Sequence, residues 1–182
     1  MVATDVTPVA LAVADFNKDG NLDLAVVDGK PAGNVEVLLG DGTGNFVKQG
    51  LFAAGDNPQS IAVGDLNNDG WVDIVMNCNN GPAVILQNRK PTGNHWLIVD
   101  TIGTRGNRDG IGAQIRLAAE SGRQQFAMVT TGSSYLSSND KRVHFGLGAS
   151  SKVKLLEVTW PSGKVQRLEN LAADRILTVR EP

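Results

Sequence analysis

The sequence contains a single cysteine, Cys78, which excludes an internal disulfide bond. This scarcity is compatible with both reducing and oxidising compartments, so it does not assign a location. A lone cysteine beside a strand is usually a small buried apolar side chain. The two histidines, His95 and His144, lie far from it in sequence, so no cysteine nucleophile is predicted.

Long apolar runs are also missing. No stretch approaches the roughly 20 apolar residues of a membrane-spanning helix, so no membrane insertion is predicted. The N-terminus lacks a basic segment followed by an apolar one, so no signal peptide is visible in this chain. The chain begins inside a repeat, which leaves open an upstream portion that carried such a signal.

The net charge of −2 conceals a difference between the two halves. Residues 1–90 contain 11 acidic and 5 basic residues, whereas residues 91–182 contain 8 acidic and 12 basic residues. Six acids of the first half lie in two short loops, residues 15–23 and 65–73, and this excess of negative charge predicts bound cations. The basic residues of the second half form no run, which favours solvated strand faces over nucleic-acid binding.

A repeat occupies the first half of the chain. A shift of 50 positions aligns "DFNKDGNLD", residues 15–23, with "DLNNDGWVD", residues 65–73, together with the apolar residues around them. Each unit contains a short apolar strand, the acidic loop, a second strand, a turn and a third strand. The glycine-rich "GDGTGNF" is typical of a hairpin that leads into a fourth strand. The pattern of residues 1–92 therefore predicts two four-stranded, propeller-like blades, whereas a closed propeller contains about four to eight blades.

Residues 93–182 lack this repeat but remain rich in strand patterns. Apolar and polar residues alternate in "KLLEVTW" and "RILTVRE", as in strands with one buried face. No long helix is predicted, although "LENLAADR" is compatible with one short turn of helix. The expected fold is all-β, with the two blades followed by an antiparallel β-sandwich or small barrel.

The two loops share the pattern D-x-N-x-D-G-x-x-D, which places oxygen ligands at positions 1, 3, 5 and 9 and a backbone carbonyl at position 7. Glycine at position 6 allows the sharp turn. Several carboxylates and no His or Cys favour Ca²⁺ over Zn²⁺. The predicted ligands of two Ca²⁺ ions are Asp15, Asn17, Asp19, the carbonyl of Asn21 and Asp23 in the first loop, and Asp65, Asn67, Asp69, the carbonyl of Trp71 and Asp73 in the second.

These loops differ from an EF-hand, which requires a glutamate at position 12 and flanking helices. Position 12 is Val26 in the first loop and Met76 in the second, and both loops are flanked by predicted strands. Ordinary turns are the alternative interpretation, because Asp, Asn and Gly are common turn residues. Two copies in the same register, each with three crowded carboxylates, favour metal sites.

A catalytic role for the metal is not predicted. Catalysis would need an open coordination position and a nearby acid or base, and neither histidine lies in a loop. A polysaccharide hydrolase would need two paired carboxylates outside the loops, and the sequence offers no such pair among Glu36, Glu120, Glu157 and Glu169. The chain is therefore predicted not to be an enzyme.

Three further features carry weaker expectations. The stretch "GNRDGIG", with Asn107 and Asp109, lacks the ligand spacing of the two loops and predicts a turn. The polar stretch "TTGSSYLSSND" is a surface loop in which Tyr135 is a candidate contact for a glycan or protein. Trp96 and Trp160 are predicted to be core residues.

The stretches "VGDLNNDGWVDIV" and "VEVLLGDGTGNF" resemble the FG-GAP or VCBS repeat family, whose calcium-loop blades also occur in integrin α-subunit propellers. The second half is similar to the ASPIC and UnbV domain, through "GTRGNRDGIGAQIRL", "TTGSSYLSSNDKRVHFGLG" and "VTWPSGKVQRLENLAADRILTVRE". That domain typically follows such repeats in secreted and cell-surface proteins. The resemblance implies an extracellular calcium-binding protein without known catalysis, often assigned to adhesion or matrix interaction.

The sequence thus supports three hypotheses. The first is a calcium-stabilised extracellular or cell-surface adhesion module that binds an unidentified protein or glycan partner. The second is a structural subunit that assembles with copies of itself into a fibre or surface layer, because exposed blade edges are templates for strand addition. The third is a polysaccharide-acting enzyme or a carbohydrate-binding module, for which no paired carboxylates are evident.

Overall fold

The computed structural model describes residues 7–79, 81–89, 92–132 and 140–182, so Tyr135 lies outside the described residues. Within these ranges the protein is all-β, with fourteen strands and no helix. The strands are β1 (Pro8–Ala14), β2 (Asp23–Asp28), β3 (Gly33–Gly40), β4 (Phe46–Gly55), β5 (Pro58–Gly64), β6 (Asp73–Cys78), β7 (Val84–Leu86), β8 (His95–Ile102), β9 (Gln114–Ala119), β10 (Gln124–Met128), β11 (Val143–Gly148), β12 (Lys152–Thr159), β13 (Val165–Ala172) and β14 (Arg175–Arg180).

The chain divides into two units. The first comprises Met1–Asn17 and Asn21–Lys90, and the second comprises Lys18–Gly20 and Pro91–Pro182. In the described part of the chain, no helix is long and apolar enough to cross a membrane.

The first unit contains two antiparallel sheets, in the orders β1-β2-β3-β4 and β5-β6-β7. Val and Leu dominate the buried central strands of the first sheet, where β-branched and other large apolar residues pack well. Both sheets contribute to one core. Its buried members are Phe16, Ala25, Val27, Val35, Val37, Ala54, Val72, Ile74 and Met76.

The repeat in the sequence is also a repeat in strand pairing. Ala12 pairs with Ala25 in the first sheet, and Ala62 pairs with Val75 in the second. Both hairpins have a register shift just after their opening proline, Pro8 or Pro58. The sequence relation across 50 residues therefore reflects two copies of one strand–loop–strand unit.

The prediction of two four-stranded blades is met only by the first sheet. The second sheet has three strands among the described residues. In the first sheet, the fourth strand follows the hairpin sequence "GDGTGNF". The corresponding stretch after β7 reads "QNRKPTGN", which has neither that hairpin pattern nor alternating apolar residues.

The second unit contains a four-stranded sheet, β10-β9-β12-β13, and a three-stranded sheet, β11-β8-β14. Side chains from both sheets form one core that includes Leu117, Phe145, Leu156 and the fully buried Trp160. This is a two-layered arrangement, and neither sheet closes into a barrel in the residues described. Trp96 is also buried, as predicted.

Two expectations for the second unit are wrong. The unit is not wholly antiparallel, because β14 pairs with β8 in parallel, with Leu177 opposite Val99. The chain between Leu168 and Arg175 does not form a helical turn either. It continues β13 as far as Ala172, where Leu168 and Leu171 pack against the core.

Candidate metal centre

The two acidic loops have the same backbone conformation at their sharpest point. The fourth and sixth positions adopt left-handed φ values, +61° at Lys18 and +87° at Gly20 in the first loop, and +61° at Asn68 and +81° at Gly70 in the second. The glycine at position 6 is therefore explained by conformation, since other residues adopt this region at a cost. The shared pattern of residues corresponds to a shared loop geometry.

The predicted ligands differ in exposure between the loops. In the first loop Asp15 and Asp23 are buried, and Asn17, Asp19 and Asn21 are partly buried. In the second loop Asp65 and Asp73 are buried, Trp71 is partly buried, and Asn67 and Asp69 are exposed.

Hydrogen bonds within the second loop draw its polar side chains together. The carboxylate of Asp65 accepts from the amides of Asp69, at 3.2 Å, and Gly70, at 2.8 Å. The amide side chain of Asn67 donates to Asp69 at 2.8 Å. The other oxygen of Asp69 accepts from the amide of Trp71 at 2.8 Å. These contacts hold the side chains of positions 1, 3 and 5 close to one another within one tight loop.

The position-9 aspartates connect each loop to the end of its third strand. Asp23 accepts from the amide of Phe16 at 2.8 Å and from that of Gly40 at 2.9 Å. Asp73 makes the equivalent pair of bonds, from Leu66 at 3.3 Å and Asn88 at 2.8 Å. Both carboxylates are thus structural acceptors, whether or not they also bind a cation.

Burial raises the pKa of Asp73 above its usual range, and the negative charges of Asp69 and Asp65 raise it further. Amide hydrogen bonds from Asn88 and Leu66 oppose the shift. The charges of Asp69 and Asp65 thus add a smaller, unfavourable contribution at Asp73 to the larger one from burial. A cation between them would remove this repulsion.

The middle of the first loop has an additional set of contacts. Lys18–Gly20 group with the second unit, in which the Arg123 guanidinium donates to the carbonyls of Asp19 at 2.8 Å and Gly20 at 2.7 Å. The amide of Gly148 donates to the Lys18 carbonyl at 2.8 Å. Three backbone carbonyls of this loop are therefore held by hydrogen bonds from outside it.

The donor set of the loops fits a hard divalent cation. Each carboxylate has about four lone-pair sites on its two oxygens, so one that accepts one or two amide bonds retains capacity for a cation. All the predicted side-chain ligand atoms are oxygens, which Ca²⁺ prefers. Among the described residues, however, no three acidic, histidine or cysteine side chains are gathered into a ready metal-ligand group. Calcium would thus need the loop carboxylates to turn inward from their amide partners.

Sequence reasoning missed two residues that support the loops, Asn88 and Arg123. The side-chain amide of Asn88 donates to the Phe16 carbonyl at 2.8 Å, and its backbone amide donates to the carboxylate of Asp73. Asn88 therefore links the two repeats of the first unit. The sequence contains one signal for Asn88, which is its position just after the third strand of the second repeat.

The hairpin "GDGTGNF" packs beside the first loop. Gly42 has a φ of +78°, and a Cβ there would lie 2.5 Å from the Asn21 side-chain oxygen. In the same turn Asp41 accepts bonds from Thr43 and Asn45, and those from Thr43 contribute most to lowering its pKa to about 2. This turn is held by its own hydrogen bonds.

The stretch that contains Asn107 forms a turn, as predicted. The Asn107 side chain accepts from the amide of Ile111 and donates to its carbonyl. Asp109 forms an ion pair with Lys141, which lowers the pKa of the Asp109 carboxyl.

Comparison with known proteins gives two family matches, one in each half of the chain. Residues 15–76 match the family described as FG-GAP-like repeat, and residues 103–182 match the family described as ASPIC and UnbV. Cartilage acidic protein 1 of Xenopus tropicalis is 30% identical over 107 residues, which are 57% of this chain and 16% of that protein. Cartilage acidic protein 1 of Homo sapiens is 29% identical over 122 residues, 65% of this chain and 18% of that protein. The matched part thus spans less than a fifth of these relatives, and in this chain a match to the FG-GAP-like repeat is followed by a match to ASPIC and UnbV.

Proposed function

We propose that this chain is a non-catalytic, extracellular interaction module in which two Ca²⁺ ions stabilise the loops of the first unit. The observation that carries the proposal is the repetition of one ligand pattern on one backbone conformation, with left-handed residues at the same two positions. A turn without a ligand needs the glycine but does not need three carboxylates that repel one another.

The role of the ions in this proposal is structural. Each loop joins the first two strands of its sheet, and its last aspartate is tied to the end of the third. A cation bound inside the loop therefore stabilises three strands at once. Sites of this kind in extracellular modules bind calcium with a Kd of about 10⁻⁴ to 10⁻³ M, so they are filled where calcium is abundant.

The similarity to cartilage acidic protein 1 supports an extracellular location and a binding role. The carboxylates outside the loops support a role without catalysis. Glu36 is buried and pairs with Lys48 at 2.9 Å, and Glu157 pairs with Arg167 at 2.7 Å. These two carboxylates lie in different units and are each committed to a basic partner.

The proposal is tested by thermal unfolding with calcium and with a chelator. We expect chelation to lower the unfolding temperature, and Asp69→Ala to remove most of that difference for the second loop. Asp56→Ala, which changes an exposed aspartate in the turn between β4 and β5, is the matched control and should leave the calcium effect intact. An unfolding temperature that does not respond to calcium would contradict the proposal.

Self-assembly is a second candidate, favoured by the edge strand β1. Its outward side chains Val9, Leu11 and Val13 are 47%, 53% and 47% exposed, and such apolar edges can pair with other chains. Analytical ultracentrifugation distinguishes the candidates. Concentration-dependent association that Leu11→Lys abolishes would support assembly, and a monomer at high concentration would exclude it.

A further inference from the structure

The outer face of the four-stranded sheet in the second unit carries an unusual set of side chains. Strand pairing aligns Phe126 of β10, Arg116 of β9 and Glu157 of β12 in one row across the sheet. In the neighbouring row, Met128 lies opposite Gln114. Phe126 is 60% exposed and Met128 is 48% exposed, although both belong to regular strands. An aromatic residue, a methionine and an arginine thus share one solvent-facing surface.

Of these side chains, Phe126, Arg116 and Glu157 line a groove of about 500 Å³. Its floor lies over Ala118, which pairs with Gln124 on one side and with Leu155 on the other. The larger side chains of Phe126 and Arg116 rise beside this small residue. The groove therefore results from one alanine in a row of larger residues, and its volume lies in the range of small-ligand and peptide pockets.

The charges in the groove are unequally satisfied. Glu157 is paired with Arg167 at 2.7 Å. Within the described ranges, the guanidinium of Arg116 forms neither an ion pair nor a hydrogen bond. Glu157 lies opposite Arg116 in the strand register, but its carboxylate pairs with Arg167. Arg116 therefore presents, among the described residues, a guanidinium without a paired carboxylate next to the exposed Phe126.

We propose that this groove, formed by Arg116, Ala118, Gln124, Phe126, Leu155 and Glu157, binds an acidic segment of a protein partner. A carboxylate of the partner pairs with Arg116, and an adjacent bulky apolar side chain occupies the floor over Ala118 between Phe126 and Leu155. This assignment specifies the partner class of the proposed interaction module and rests on that function. Arginine, aromatic residues and methionine are enriched in protein interfaces, and arginine is frequent among the residues that dominate binding energy.

The polar groups of the groove fit a sugar less well. Recognition of sugar hydroxyls uses several free planar amide or carboxylate groups around an aromatic ring. Here the Gln125 amide donates to the Gly146 carbonyl at 2.7 Å, and Glu157 is occupied by Arg167, which leaves the exposed Gln124 as the one amide available to a sugar among the described lining residues. The remaining free cation instead complements a carboxylate.

The test uses the full chain at millimolar calcium and a displayed library of random linear peptides. We expect the selected peptides to contain Asp or Glu next to a bulky apolar residue. A synthetic peptide from this set should bind Arg116→Ala about tenfold more weakly or worse, as for a dominant interface residue. Ala118→Leu, which fills the floor, should weaken binding comparably. Arg175→Ala, at an exposed position of β14 in the other sheet, is the matched control for Arg116→Ala and should bind like the wild type.

Each outcome decides the proposal. Selection of no acidic–apolar peptides, or equal binding to the wild type, Arg116→Ala and Ala118→Leu, would overturn it. Binding on a glycan array that depends on Arg116, without peptide binding, would also overturn it and assign the groove to saccharides. Calcium titration of the same samples separates the two proposals. Peptide binding without calcium binding would contradict the calcium-stabilised module alone, and calcium binding without peptide binding would contradict the groove alone.

Discussion

The two acidic loops have the same ligand pattern and the same left-handed residues but different surroundings. In the first loop, Lys18 is almost fully buried, and backbone carbonyls accept bonds from Arg123 and Gly148. In the second loop, Asn67 and Asp69 are exposed, and the hydrogen bonds of Asp69 stay within the loop. Position 5 thus differs between the copies: the Asp19 carbonyl accepts a bond from outside its loop, whereas the Asp69 bonds described lie within its loop. We infer that bound calcium matters more to the order of the second loop.

The largest expected effect is that of calcium removal. With calcium about twentyfold above a Kd near 10⁻⁴ M, each site adds about 2 kcal/mol to the free energy of unfolding. The local response should be unequal. Chelation should increase hydrogen exchange of the amides of residues 65–73 more than of residues 15–23, as measured by mass spectrometry. An equal increase in both loops would remove the distinction between them.

The position-9 aspartates give the next largest effect. Asp23→Ala leaves the buried backbone amides of Phe16 and Gly40 without their acceptor. This change should lower the free energy of unfolding by about 3 kcal/mol. Asp73→Ala should cost less, because burial and the neighbouring carboxylates already disfavour its charged form and its bond to Leu66 is long, at 3.3 Å. Denaturant unfolding in the presence of a chelator measures this difference without a contribution from calcium. A larger loss for Asp73→Ala would reverse the comparison.

A smaller effect is expected from the position-5 aspartates. Asp19→Ala and Asp69→Ala should each lower the number of bound ions by one, as counted by calorimetry. In chelator, Asp69→Ala should be neutral or slightly stabilising, since it relieves the repulsion on Asp73. Lys30→Ala, at an exposed position outside both loops, should leave the ion count unchanged. An unchanged count in both aspartate variants would contradict their assignment as ligands.

The smallest effect concerns acid sensitivity in the second unit. Bonds from the Ser162 hydroxyl and from the amides of Thr104 and Arg105 lower the pKa of Glu181 to about 2. A carboxylate with a lowered pKa stabilises the fold fully above its ordinary value of 4.5, and this contribution is lost as the pH falls toward about 2. Glu181→Gln should therefore lose less thermal stability between neutral and acidic pH than the wild type. A steeper acid loss in Glu181→Gln would contradict this account.

The sequence predicted the parts of the fold that depend on local pattern. Short apolar runs located strands of the first unit, alternation located β12 and β14 of the second, and the repeat identified two loops with the same left-handed positions. The sequence did not reveal the parallel pairing of β14 with β8, because strand order depends on contacts between distant segments. It likewise predicted a fourth strand after β7, although "QNRKPTGN" carries no strand pattern of its own.

The candidate site was predictable to a similar extent. The ligand positions stay predictions from the spacing, and the glycine at position 6, predicted to allow a sharp turn, has a left-handed φ in both loops. Asn88 and Arg123 were not predicted, because their loop partners are distant in sequence and carry no local signal. The structural role of Asp23 and Asp73 as amide acceptors was also missed, since a ligand pattern does not specify backbone contacts. Calcium binding itself stays a prediction.

Calcium titration of the wild-type chain by isothermal calorimetry tests the central claim most directly. The account predicts two bound ions per chain with Kd values of about 10⁻⁴ to 10⁻³ M, reduced to one ion in Asp69→Ala. Magnesium should bind more weakly, because Mg²⁺ demands near-ideal octahedral geometry and loses its waters reluctantly, whereas Ca²⁺ accepts a flexible set of carboxylate and carbonyl oxygens. Absence of binding heat at millimolar calcium, with the chain folded, would contradict the assignment of both loops.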